Sequence, residues 1–110
     1  MGRKHDLIIT SGFNVSPQIV ERLIGACPGV RECAVVGVPV PEWGERVVAA
    51  VVCSDAGLDE ARLRAWWSDR LVVDQQPQEV VFVDTLPQNS LGKVLRRNLR
   101  ESLQRAAGDG

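Results

Sequence analysis

The chain has 110 residues, enough for one domain with one modest core that buries roughly 65% of its unfolded surface. Hydrophobic residues make up 45% and charged residues 25%, the balance of an ordinary folded domain. Thirteen Lys and Arg against fourteen Asp and Glu give a formal net charge of -1, which argues against a dedicated nucleic-acid binder.

No apolar run is long enough for a membrane span, and none follows Met1 as a signal peptide would, so a cytoplasmic protein is expected. Cys27, Cys33 and Cys53 are odd in number and irregularly spaced; Cys33 and Cys53 sit among valines and alanines and read as buried, reduced thiols. His5 is the only histidine, so no metal site is expected.

Residues 1–6 are polar and read as an entry segment. Leu7-Ile8-Ile9-Thr10 is β-rich, and Ser11-Gly12-Phe13-Asn14-Val15 reads as a turn into a second short strand, with Gly12 supplying a positive φ. Ser16-Pro17 opens a helix, with serine as the cap and proline at the first helical position. Ile19, Val20, Leu23 and Ile24 form its apolar stripe, and Cys27-Pro28-Gly29 stops it.

Two long apolar strands follow, Val30 to Val38 and Arg46 to Cys53, joined by a short acidic and aromatic loop and expected to pair antiparallel. Asp59 is placed to cap a helix carrying Leu63, Trp66, Trp67, Arg70 and Leu71, with one tryptophan in the core and the other half exposed. Val72 to Pro77 reads as loop, and Glu79 to Val83 as a third strand. Leu95, Leu99 and Leu103 recur every four residues on an amphipathic tail helix rich in arginine, and residues 106–110 should fray. The fold class is therefore α+β: a small, mainly antiparallel three-stranded sheet with packed helices, plus a short N-terminal two-stranded hairpin.

The chemistry concentrates in Leu86-Pro87-Gln88-Asn89-Ser90-Leu91-Gly92-Lys93-Val94, a turn-prone loop that delivers one lysine. A lysine ammonium can neutralise charge developing on a phosphate or carboxylate oxygen. Ser90, Leu91 and Gly92 are read as narrowing the approach to Lys93. No glycine lies five residues before Gly92 and no hydroxyl residue follows Lys93, so the loop is not a Walker motif. Residue types alone leave Lys93 open between catalytic cation and solvated surface lysine.

The ordered motifs settle the wider reading. The motifs Gly2-Arg3-Lys4-His5-Asp6-Leu7-Ile8-Ile9, Ser11-Gly12-Phe13-Asn14-Val15-Ser16-Pro17, Val35-Val36-Gly37-Val38-Pro39, Glu42-Trp43-Gly44-Glu45 and Leu86 to Val94 carry a likeness that covers nearly all of residues 2–103. In this order and spacing the chain resembles the C-terminal domain of the adenylate-forming enzymes, closest to their acyl-CoA ligase branch.

The resemblance implies a mobile domain over residues 7–105, with residues 1–6 as its hinge segment and His5 at the hinge position, where relatives carry aspartate or lysine. It implies that Lys93, beside Gly92, contacts carboxylate and phosphate oxygens during adenylation. Ser11, Gly12, Phe13 and Asn14 match the loop of the thioester step. Ile19 stands where relatives commonly carry a glutamate. ATP and Mg2+ are expected mainly on a large N-terminal domain, in cis in a longer parent chain or in trans, with coenzyme A as the thiol substrate. A carrier protein is a further partner of the same kind. The other reading is a stand-alone, non-catalytic interaction or regulatory domain that binds a partner ligase or carrier protein. Nucleic-acid binding by Arg96, Arg97, Arg100 and Arg105 lacks interleaved aromatics for base stacking.

Overall fold

A computed structural model describes residues 7–10, 12–42, 44–54 and 57–109. Segment 1–6 with His5, and Ser11, lie outside the described residues. The elements in order are β1 (Ile8–Thr10), β2 (Phe13–Val15), α1 (Pro17–Gly25), β3 (Val30–Val40), β4 (Gly44–Cys53), α2 (Glu60–Ser68), a 3-10 turn (Val73–Gln75), β5 (Glu79–Phe82) and α3 (Arg96–Asp109). The fold is α+β, with a small, mostly antiparallel sheet, three packed helices and an N-terminal hairpin.

β3 and β4 form a long antiparallel pair running from Val30 opposite Cys53 to Val40 opposite Gly44. β4 reads as unbroken apolar sequence because it is buried on both faces. Val47, Ala49 and Val51 enter one core cluster, with Val20, Ile24, Leu63 and Trp67; Val48, Ala50 and Val52 enter the other, with Leu86 and Leu99. Helices α1 and α2 therefore cover one face and α3 the other. β5 joins the opposite edge of β4 in parallel, Val48 to Val51 facing Glu79 to Phe82, with α2 in the connection. The hairpin extends the sheet through one pair, Thr10 with Gly44.

The local signals act as the residue types dictate, with two corrections. Asp59 accepts from the Arg62 amide at 2.9 Å and starts α2. Ser16 occupies the corresponding position of α1 in extended backbone, but its side chain makes no capping bond; Pro17 alone sets the start. Ile19 is 57% exposed and leaves the stripe, which runs through the buried Val20 and Ile24. Trp67 is buried, and half-buried Trp66 donates its Nε1–H to the Leu23 carbonyl at 3.0 Å, tying α2 to α1. α3 runs from Arg96 to Asp109.

Two contacts fix how the layers sit. At Gly37 a Cβ atom would lie 2.8 Å from Ile8 Cγ2 and 2.9 Å from the Glu45 carboxylate, so only glycine lets β1 cross this close to β3. On the outer edge of β3, the Val35 amide donates to Glu21 Oε2 at 2.8 Å. Arg96 closes on the same carboxylate, Nη2 at 2.7 Å and Nε at 3.2 Å from Oε2. One carboxylate thus joins α1, the edge of β3 and the start of α3.

Replacing Glu21 with alanine strands a strand-edge amide and an arginine that is 30% exposed. A loss of about 2–3 kcal/mol is expected. Glu21→Gln, which keeps an acceptor for Val35, should lose less than Glu21→Ala; equal losses measured by urea unfolding would remove the strand-edge bond from the explanation.

Cys33 donates its thiol to the Glu21 carbonyl at 3.3 Å. Burial, reinforced by the Glu21 carboxylate and opposed by Arg96, pushes the thiol from its ordinary 9.0 up to about 12. The unfolded thiol ionises near its ordinary value while the folded one stays protonated. Its contribution to stability is therefore complete below pH 9.0 and lost as pH rises through about 12. The urea midpoint should fall across this window, and Cys33→Ala should flatten the fall.

Candidate functional site

The Lys93 loop is held by one asparagine. Asn89 Oδ1 accepts from the Leu91 amide at 2.9 Å and the Lys93 amide at 3.0 Å. The Asn89 backbone carbonyl takes the Gly92 amide at 2.9 Å, and the Asn89 amide donates to the Lys93 carbonyl at 3.0 Å. Gln88 pairs with Val94 across this turn, and the Leu95 amide reaches the Pro87 carbonyl at 2.8 Å. Gly92 has φ of 82° and open space around its missing Cβ, so backbone conformation, not crowding, calls for glycine. The loop does not narrow the approach to Lys93: Leu91 is 87% exposed and points into solvent. Lys93 is an exposed cation on a backbone clamped at the same residue.

The second candidate segment is the β1–β2 turn. Thr10 pairs with Phe13, Ile9 with Asn14 and Ile8 with Val15, and Gly12 at φ of 85° turns the chain. Val15 and Ile8 are buried and anchor the hairpin, while Phe13 and Asn14 stand exposed. The Asn14 carbonyl accepts from Gln75 Nε2 at 3.1 Å, which ties the turn to the 3-10 segment. Beside it lies an open cavity of about 430 Å³ lined by Thr10, Phe13, Arg64, Pro77 and Gln78 among others. Arg64 is held there by Glu60 at 2.7 Å and the Gln78 carbonyl at 3.3 Å.

The sheet keeps these segments apart. Gln88, at the base of the Lys93 loop, bonds Glu32, which pairs with Val52 near one end of β4. Thr10, at the base of the hairpin turn, pairs with Gly44 at the other end. The eight residue steps from Gly44 to Val52 correspond to about 26 Å of strand. The anchors also lie on opposite sides of the sheet, Glu32 on the β3 edge and Thr10 on the edge of β4 that β5 occupies. Gly92 with Lys93, and Gly12 with Phe13 and Asn14, thus belong to two separate exposed turns, although Val94 and Ile8, near their bases, line one cavity. The sequence reading missed the clamp by Asn89, although asparagine three residues before a glycine is an available turn signal.

This chain belongs to the AMP-binding enzyme C-terminal domain family, whose model matches residues 19–93. It is 42% identical over 103 residues to the 4-chlorobenzoate–CoA ligase of Pseudomonas sp. strain CBS-3, covering 92% of this chain and 20% of that protein. It is 43% identical over 99 residues to the long-chain-fatty-acid–CoA ligase of Escherichia coli O6:H1, covering 90% of this chain and 18% of that one. The structure of ATP-bound MatB from Rhodopseudomonas palustris superposes with a TM-score of 0.86 at 45% identity, over 94% of this chain and 21% of that chain. The chain therefore spans about a fifth of the length of the proteins it matches.

The clamp predicts a measurable change in the Lys93 loop. Asn89→Ala removes the acceptor shared by two amides and should raise amide hydrogen exchange at Leu91 and Lys93 by about tenfold or more. Exchange in β3 and β4 should stay as it is; unchanged exchange at both loop amides would show that the backbone alone holds the turn.

Proposed function

We propose that this chain is the C-terminal lid domain of an ATP-dependent acyl-CoA ligase, inactive without a large N-terminal adenylating domain. Its two separate exposed turns, at Gly12 and at Gly92-Lys93, carry the reading, supported by the family membership and by the ligases among its relatives. A domain that serves two reactions with two separate loops has to present them in turn.

In the first reaction a carboxylate oxygen attacks the α-phosphorus of ATP, the bond to pyrophosphate breaks, and an acyl-adenylate forms. The Lys93 ammonium offsets negative charge growing on the carboxylate and phosphate oxygens. Its exposure and firm backbone suit that contact; Mg2+ is assigned to the larger domain. In the second reaction the sulfur of coenzyme A attacks the acyl carbon and AMP leaves. The hairpin at Ser11, Gly12, Phe13 and Asn14 then lines the path of the thiol arm, where Gly12 adds no side chain. His5 is the hinge residue of this reading.

The test uses this chain joined to, or mixed with, the adenylating domain of an acyl-CoA ligase. Lys93→Ala should lower acyl-adenylate formation by about a hundredfold or more, while thioester formation from supplied acyl-adenylate stays within a few-fold. Gly12→Leu should do the reverse. Equal loss of both reactions in either variant would remove the division of labour, and a mixture with no gain over the larger domain alone would favour a purely regulatory role.

A further inference from the structure

A second polar cavity, of about 310 Å³, opens beside the edge of β3 where α3 begins. Its walls include Val35, Gly37, Val94 and three arginines, Arg96, Arg97 and Arg100. Arg96 is already matched by Glu21. The side chains of Arg97 and Arg100 have no hydrogen-bond or ion-pair partner among the described residues, and the Arg100 Nε–H is buried with no acceptor. A buried guanidinium donor without an acceptor is costly in a finished site. Glu45 stands against Gly37 but accepts from the Ile9 amide at 3.0 Å, and no carboxylate lines the cavity among the described residues. The first turn of α3 holds no acidic residue either, so the positive end of the helix adds to the arginines instead of offsetting them.

We propose that this cavity binds a phosphate group, with Arg97 and Arg100 as its ligands. A phosphate presents several oxygens to two guanidinium forks and supplies the acceptor that Arg100 Nε lacks. Arg96, held on Glu21, forms the fixed wall. The site is separate from the role given to Lys93: Val94 lines it, but the Lys93 side chain does not.

The chain is titrated with inorganic phosphate, against sodium chloride at equal ionic strength, while the amide resonances of Val94 to Leu99 and the thermal midpoint are followed. Saturable shifts and a raised midpoint are expected with phosphate only. Arg100→Met should weaken binding roughly tenfold, Arg100→Lys by less, and the exposed Arg22→Met not at all. If Arg100→Met fails to fold, Arg97→Met and Arg100→Lys give the same reading by their partial losses. A parallel titration with AMP identifies the source: binding of both ligands marks a phosphoester site, and binding of inorganic phosphate alone marks a free-anion site. A response no larger than that to chloride overturns the proposal. So does unweakened binding in the arginine variants, or loss of binding in Lys93→Met alone, which would place the anion on the loop.

Discussion

The Glu21 carboxylate stands where three elements of different layers have to meet. An outer strand presents amides with no neighbouring strand to receive them, and β3 is such a strand. Glu21 satisfies the Val35 amide from the side of α1 and at the same time holds Arg96, the first residue of α3. Because α1 and α3 cover opposite faces of the sheet, this contact wraps around its edge and sets the position at which the last helix begins. The Lys93 loop lies immediately before that point, bonded at Pro87 to Leu95. Its placement thus depends on a charge contact between residues 75 positions apart.

A comparable constraint operates at the hairpin. Gly37 lets Ile8 lie against the sheet, and the Ile9 amide is received by Glu45. The hairpin is short and meets β4 at one residue pair, so it owes its position to this close approach and to the burial of Ile8 and Val15. Each candidate loop is consequently anchored by buried contacts several residues away while its own tip remains exposed. That division suits a surface that must be presented to another body without deforming.

Much of this architecture can be read from local signals. Proline at the start of α1, aspartate before α2, the doubly apolar β4 and the split roles of Trp66 and Trp67 all follow from residue type and spacing. The parallel pairing of β5 does not, because strand composition carries no direction; only the intervening helix hints at a crossover. The exposure of Ile19 was hidden because a helical stripe blurs at its margin, and period alone cannot say which margin turns outward. The Glu21–Arg96 contact was illegible for another reason: it joins distant positions, and either residue alone is an ordinary surface charge. At the candidate site, the turn around Gly92 was plain, but the weight given to Lys93 came from motif order and not from its local chemistry.

Exposure of Lys93 fits the proposed role once the surrounding medium is considered. Two unit charges 4 Å apart interact by about 1 kcal/mol in water and about 4 kcal/mol at an effective dielectric near 20. The same ammonium therefore gains about 3 kcal/mol of influence when a second surface excludes water from it, roughly a hundredfold in rate. A lysine buried within this domain would bear the desolvation cost permanently and could not reach a reactant held elsewhere. A lysine at an exposed tip meets that cost only on closure. What the domain must supply in advance is order, and the Asn89 clamp does so by fixing the backbone beneath the side chain. The effectiveness of such a cation is thus set jointly, by rigidity built into this chain and by the wall that covers it.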